Sequence, residues 1–420
     1  MPKPGLLADR DFRRYWIGNA TSSLGTSVTL VALPLVALVE LDATSSQVGL
    51  VRAAEFLPFF LLTLPVGLLA DRSRRRPLMI AADVGRALVL AALPVAAALG
   101  MLSLPLVIGV ALALGSLTVV FDVCYLSVLP GLVGRERVEE GNRLLELAHA
   151  GARTAGPAIG AALVAVVRPV WALLVDAASY VVSAVSLWTL APEAPPECRR
   201  DERARDALRA GLVQVRRSSY VRPLTLYLGV NNLATQAFNT AVVVFVVRSL
   251  ALSPAVVGVA FAASSVGFFA GAATSSAAAR RWGPGPLICL ASVVGAAGFA
   301  LVAAAGPLPP VPTVGAGMAV SGFATGLFNL QSVTLRQTVT PDEVLGRVNS
   351  VVRLASYSGF ALGAWLGGAV IGPLSPRATL VAAAIVSLLA TAFPLLSPVV
   401  RVRGRPAPEP VFAQKPAPSS

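Results

Sequence analysis

Few side chains in this 420-residue sequence are equipped for chemistry, and they stand where charge is costly. Hydrophobic residues make up 55% of the chain and charged residues 13%. Soluble domains carry about 25% charged residues, so each ionisable group inside an apolar run needs a reason to be there. Arg52 and Glu55 are three positions apart, as are Asp83 and Arg86, and that spacing puts both members of a pair on one helix face. Asp122 and Asp176 stand in other apolar runs. Glu146, His149, Arg153 and Pro157 recur at helical spacing, which sets the single histidine between a carboxylate and a guanidinium. Carboxylates and imidazoles shielded from water are the side chains best suited to carrying protons. On this reading Glu55, Asp176 and His149 are the proton-coupling candidates. A plainer reading stands beside it. The two pairs neutralise themselves, and the His149 group is a buried structural network.

Other chemistries lack their residues. There is no Gly-x-x-x-x-Gly-Lys-Ser/Thr loop for a nucleotide, no metal-ligand spacing, and no nucleophile elbow for a Ser/His/Asp arrangement. The chain is therefore read as no enzyme, with no cofactor and no metal. Cys124, Cys198 and Cys289 are scattered and form no disulfide framework, and Cys124 and Cys289 read as small buried hydrophobes. The formal charge of +13 raises nucleic acid as a partner, but the basic residues are spread over separate short segments and form no concentrated surface.

The elements that must hold these residues are membrane spans. A spanning helix needs about 20 apolar residues, and twelve runs qualify: about 15–39, 48–70, 77–99, 104–128, 143–167, 169–191, 223–249, 255–279, 285–306, 309–335, 346–371 and 377–397. The first run is too long for a signal peptide and reads as the first span. Of the 34 Lys and Arg residues, 27 fall in the N-terminus, the even-numbered loops and the tail, which predicts both termini in the cytoplasm. The expected class is an all-α polytopic membrane protein of twelve spans. Its parts are a six-helix bundle over 1–191, a cytoplasmic linker over 192–222, a second six-helix bundle over 223–397 and a disordered tail over 398–420. The linker could hold an amphipathic helix near 201–217.

The halves are copies of one unit. A shift of 209 residues lays Leu41 on Leu250, Gly49 on Gly258, Arg72 on Arg281 and Leu78 on Leu287; a shift of 207 lays Asn142 on Asn349, Gly156 on Gly363 and Gly160 on Gly367. The segment Gly67–Pro77, with Asp71, Arg72, Arg74, Arg75 and Arg76, lies between spans 2 and 3. Its copy, 279–287, has lost the carboxylate but holds Gly283. Duplicated bundles place a substrate near the midplane between the halves.

Gly67–Pro77 resembles the loop motif of the major facilitator superfamily, Gly-x-Leu-Ala-Asp-Arg-x-Gly-Arg-Arg, with Arg74 where the family has glycine. Arg153, Gly156, Pro157 and Gly160 resemble the family's antiporter motif in span 5, with Ala152 and Ala161 in place of the outer glycines. Asp83-Val-Gly-Arg86, Phe121-Asp122, Asp176-Ala-Ala-Ser179-Tyr180 and Gly346-Arg347-Val-Asn349 are similar to the bacterial subfamily that includes the enterobactin exporter and macrolide-efflux proteins. This resemblance runs over about residues 6–398. It implies a cytoplasmic gate in which Arg75 meets Asp122 and Asp71 meets the start of span 11 near Arg347. It implies a cavity lined by spans 1, 4, 7 and 10, hence by Asn19, Thr26, Asn232, Gln236, Asn239, Phe328 and Asn329. Amides there could equally be interhelical glue. The expected protein is a monomeric secondary transporter in a bacterial cytoplasmic membrane. It would export a small amphipathic molecule in exchange for protons. An importer or uniporter of the same fold, or a non-transporting receptor, remains open.

Overall fold

The computed structural model describes residues 5–190, 204–404 and 406–412. Cys198 and the first part of the linker lie outside the described residues. The first six long helices are α1 (Arg10–Leu35), α2 (Ser45–Arg72), α3 (Arg75–Ala98), α4 (Leu104–Val133), α5 (Val138–Val166) and α6 (Pro169–Trp188). A short helix, α7 (Ala204–Arg217), precedes α8 (Val221–Val244), α9 (Pro254–Trp282), α10 (Pro284–Ala303), α11 (Pro310–Val339), α12 (Asp342–Leu374) and α13 (Pro376–Ala390). Among the described residues, nine helices are long and apolar enough to cross a membrane. The other three long helices, α2, α5 and α12, run 28, 29 and 33 residues. The protein is a polytopic all-α membrane protein, with twelve long helices among the described residues.

Local sequence sets the helix starts. Asp9 caps α1 by accepting from the backbone N–H groups of Asp11 and Phe12 at 3.0 and 2.9 Å. Thr44 and Gln47 exchange side-chain and backbone bonds at the start of α2, the reciprocal arrangement of a capping box. Proline stands in the first turn of α6, α10, α11 and α13, where its missing N–H costs nothing.

The internal repeat is visible in the backbone. The starts of α2 and α9, and those of α3 and α10, are each 209 positions apart. A π-helical turn at Val36–Glu40 follows α1, and another at Phe245–Ser249 follows α8. Each is followed by a left-handed residue, Asp42 and Ala251, again 209 apart.

By contacts the chain forms two compact units, Met1–Arg199 with Val243–Ala262, and Arg200–Val242 with Ala263–Ser420. In the first, α1 packs on α5 and α6, α2 on α4, and α3 on α4 and α6. Within this unit Arg248 also pairs with Asp42 at 2.7 Å. In the second, α10 packs on α11 and α13, and α12 on α7 and α13. Cys124 and Cys289 are buried free thiols.

The described part of the tail, 398–404 and 406–412, departs from the disorder that its composition suggests. Val399 and Val402 are buried in the core of the second unit, and Val402 O accepts from Gly285 N at 2.9 Å. Gly285 has no room for a side chain, since a Cβ would stand 1.9 Å from Val399 O. The glycines kept in the second loop copy thus make space for the tail. Farther on, Gln214 of α7 clamps it, donating to Pro410 O at 3.0 Å and accepting from Phe412 N at 2.8 Å. Two apolar anchors and one buried amide hold a segment that a composition count reads as loose.

Candidate functional site

Where α1 crosses α6, Asp176 is fully buried, with 0% of its surface exposed. Thr29 of α1 donates its hydroxyl to Oδ2, and Ser179 donates to Oδ1 at 2.9 Å. Tyr180, one residue on, meets Thr26 of α1 at 3.1 Å through its hydroxyl. The helices come this close because α1 carries Gly25 at the crossing. A Cβ there would lie 2.2 Å from Ser179 Oγ and 2.5 Å from Asp176 Oδ1.

The ring of Tyr180 also receives a cation from α3. The Arg86 guanidinium lies 4.3 Å from the ring centroids of both Tyr180 and Phe121. It donates to Asp83 Oδ1, and both residues are buried, at 3% and 0% exposure. Asp83 Oδ2 and Arg86 Nε have no hydrogen-bond partner. Asp122 of α4 and Asp176 of α6 also interact electrostatically with Arg86. Asp83 bonds the guanidinium directly; Asp122, half-buried, and Asp176 act on it through space. With Asp83 and Asp176 both ionised, the fully buried part carries two negative charges against the one positive charge of Arg86, and unbalanced charge in a dry setting is costly. The arrangement is suited to holding or releasing a proton.

A second polar cluster joins α1, α4 and α5 around His149. Nε2 lies 3.2 Å from Asn19 Nδ2 and 3.0 Å from the Tyr125 hydroxyl, and Nδ1 lies 2.9 Å from Ser23 Oγ. Ser23 donates its own proton to Asn19 O at 2.8 Å, so its oxygen is left to accept from Nδ1–H, which leaves the single lone pair of Nε2 between the Asn19 amide and the Tyr125 hydroxyl. These bonds suit the neutral imidazole protonated at Nδ1. Tyr125 connects the two clusters, stacking along α4 with Phe121 at 6.3 Å and meeting the His149 ring edge-on at 5.5 Å. Sequence spacing had set His149 between Glu146 and Arg153. Glu146 is exposed, and the Arg153 side chain lies outside the described residues.

Glu55 bonds Arg52 at 3.0 Å, and Arg52 reaches Leu30 O of α1 at 2.7 Å. This pair on α2 joins neighbouring helices through the arginine.

The two resemblance motifs occupy different settings. Gly67 lies on α2 with open space around its Cβ position. Asp71 and Arg72 end that helix, with side chains outside the described residues, and Arg75 begins α3. Arg347 lies near the start of α12, where its backbone passes Gly211 of α7; a Cβ on Gly211 would stand 2.5 Å from Arg347 O. Gly156 and Gly160 of α5 face α1 directly. A Cβ on Gly156 would lie 2.2 Å from Ser27 Cβ, and one on Gly160 3.2 Å from Val28 Cα. Their repeat mates Gly363 and Gly367 meet Leu233 and Ala237 of α8 equally closely. Pro157 continues α5 without ending it, and its side chain lies outside the described residues.

In the second unit the polar candidates separate. Asn232 donates to Ser356 O of α12 at 3.4 Å, and neighbouring Asn231 accepts from Ser387 of α13 at 2.8 Å. Gln236 is buried and Asn239 half-buried on α8. Phe328 packs against Tyr227 inside the apolar core, whereas Asn329, the next residue of α11, is exposed.

Comparison with known proteins places the whole chain. The profile of one family, described as transmembrane secretion effector, matches residues 5–410. The chain belongs to this family of the major facilitator superfamily. The enterobactin exporter EntS of Citrobacter koseri is 28% identical over 386 residues, covering 90% of this chain and 88% of the relative. EntS of Escherichia coli O1:K1 is 27% identical over 409 residues, covering 96% and 95%. Among solved structures, the nucleoside transporter NupG superposes with a TM-score of 0.72 at 15% identity, covering 91% of this chain and 98% of that one. A bacterial homologue of the iron transporter ferroportin, solved in an inward-facing state, gives 0.70 at 17% identity, covering 92% and 98%. At these identities the solved structures share the fold. The protein is a transporter of this superfamily.

For a secretion effector of this fold, one feature of the sequence gains meaning from the structure. Beyond Asp206 the acidic residues are Asp342, Glu343 and Glu409, so no carboxylate stands in the interior of α8 to α11 or of α13. The interior carboxylates belong to the first unit. Helical spacing alone does not point to Thr29 as a partner of Asp176, or to Tyr125 as a partner of His149. The Ser179-Tyr180 pair shortly after Asp176 was the available signal.

Proposed function

We propose that the protein is a secondary active transporter that exports a small amphipathic molecule, of the siderophore or secondary-metabolite kind, by alternating access in exchange for protons. The buried Asp176–Arg86–Asp83 group carries the coupling part of this reading. A carboxylate bonded by two hydroxyls and sharing its cation with Asp83 and Asp122 can gain a proton without breaking a direct ion pair. The full-length match to proteins named as enterobactin exporters supports export. The transporter works as a monomer in a bacterial cytoplasmic membrane; the distribution of basic residues favours both termini in the cytoplasm.

The test is transport into everted membrane vesicles, with enterobactin and ethidium as probe solutes. One proton exchanged for a neutral solute at 100 mV is worth about 2.3 kcal/mol, or about a 50-fold solute gradient; exchange for the ethidium cation is electroneutral and draws on the pH difference instead. An uncoupler should collapse that gradient. Asp176→Asn keeps the shape and hydrogen-bonding capacity of the side chain but cannot ionise. It should still bind the probe while losing the response to the uncoupler. Flux in the opposite direction would overturn export, and unchanged uncoupler sensitivity in Asp176→Asn would remove Asp176 from the coupling step.

A further inference from the structure

Arg74, which takes the glycine position of the loop motif, has a place in the fold. It is the residue before α3, with φ −67° and ψ 122°, a backbone that any amino acid adopts. The position does not require glycine, and the arginine is exposed at the mouth of a groove between α3 and α6. Two contiguous hollows of about 510 and 440 Å³ make up this groove and share Ile80, Val84 and Trp188 as walls. Leu88, Val181 and Val185 extend it away from the arginines. Ile80 to Leu88 spans about 12 Å of helix, against a hydrocarbon leaflet of about 15 Å.

The mouth is basic and the walls are apolar. Arg76 is fixed there because it donates to Leu187 O at 2.8 Å and to Trp188 O, the last carbonyls of α6. Those bonds hold its charge beside Arg74. Among the described residues that line the two hollows there is no carboxylate. Leu88, Val185 and Trp188 are 69%, 57% and 73% exposed, so the groove opens outward from the bundle. Outward-facing apolar walls in a membrane protein meet acyl chains. Two guanidiniums at the edge of the same walls meet headgroups; Arg76, its Nε and Nη2 given to the carbonyls, acts on a phosphate by charge, and the exposed Arg74 offers the fork that suits phosphate oxygens.

We propose that the α3–α6 groove is a binding site for one anionic glycerophospholipid, its phosphate held by Arg74 and Arg76 and an acyl chain lying along Ile80, Val84 and Val185. The site is separate from the Asp176 group and independent of what the protein transports. Net negative charge distinguishes the ligand. A zwitterionic phospholipid brings the same phosphate with a compensating ammonium and gains less from two arginines.

Native mass spectrometry of the purified full chain, titrated with phosphatidylglycerol and separately with phosphatidylcholine, tests the proposal. The first phosphatidylglycerol adduct should form at clearly lower lipid concentration than the phosphatidylcholine adduct. Each arginine near a membrane surface contributes a factor of about five towards anionic lipid. Arg74→Gly should thus weaken phosphatidylglycerol binding about five-fold and leave phosphatidylcholine unchanged. Adding Arg76→Gln should deepen the loss, and if that double variant fails to fold, Val84→Trp fills the groove with both arginines intact and should also remove the preference. In parallel, brominated phosphatidylglycerol should quench Trp188, read as the difference from Trp188→Phe, more than brominated phosphatidylcholine does. Equal adduct formation by the two lipids, or no change in Arg74→Gly, overturns the proposal. Competition by millimolar inorganic phosphate as effective as that by lipid would reduce the site to a simple anion site and overturns it as well.

Discussion

Arg86 is the most exacting test of how the first bundle is held together. Its replacement by methionine keeps the length and apolar character of the stem but removes the charge. Asp83 then remains at 0% exposure with no cation bonded to it, and its Oδ2 already lacks a partner. Removing one member of a buried ion pair costs about 3–5 kcal/mol. The two ring contacts at 4.3 Å are lost as well, each worth up to about 2 kcal/mol when desolvated; these terms overlap and do not add. Asp83→Asn should cost less, about 1–3 kcal/mol, because Arg86 still interacts with Asp122 and Asp176. The double variant removes both charges, and a pair so removed is often close to neutral in stability. It should therefore recover about 2 kcal/mol or more of the loss seen in Arg86→Met. Equilibrium unfolding in mixed micelles with increasing dodecyl sulfate measures all four corners of this cycle. A cost below about 1 kcal/mol for Arg86→Met, or a double variant no more stable than Arg86→Met, would refute the claim that Arg86 is the counter-ion of a buried carboxylate group.

Three further outcomes follow from particular contacts. Gly25→Ala forces a methyl to within 2.5 Å of both Ser179 Oγ and Asp176 Oδ1, and should destabilise the protein by about 1–3 kcal/mol while shifting the pH profile of transport; an unchanged profile would separate the crossing from the coupling step. Glu140 accepts from Leu6 N at 3.1 Å, and this bond, followed by Arg137, holds its carboxyl below the ordinary value of 4.5. A lowered carboxyl stabilises the folded form above its unfolded value and loses that effect as pH falls through the folded one, so amide exchange at Leu6, corrected for intrinsic rate, should rise on acidification below about pH 4.5, and Glu140→Gln should show the raised exchange already at neutral pH. Gln214→Ala removes both bonds to the tail, each worth about 0.5–1.5 kcal/mol; limited proteolysis should cut near Pro410 sooner, with little change in the global unfolding midpoint.

Several of these features were legible in the chain. Runs of about 20 apolar residues announce membrane helices because every backbone group in lipid must be satisfied within the segment. The 209-residue repeat reappears in helix starts, π-turns and left-handed residues, since copied sequence carries copied caps and turns. Gly156 and Gly160 announced a close approach, and their repeat mates make the same approach to α8.

Helical spacing determines which side chains share a face, but not what that face meets. It paired Asp83 with Arg86 correctly, because that contact is three residues long. It could not bring Asp176 and Tyr180 to the same guanidinium, which needs α3 and α6 side by side. It set His149 on one face with Glu146 and Arg153, and the crossing of α1, α4 and α5 added Asn19, Tyr125 and Ser23. In a membrane, lipid tails are as apolar as the helices, so hydrophobicity does not choose the partner. Small residues and a few polar bonds do, and their matches across the chain exist only once the helices are packed. The sequence by itself therefore determined the spans, the duplication and the stock of buried carboxylates. The tertiary structure decided that two of those carboxylates, Asp83 by a direct bond and Asp176 through space, face one arginine.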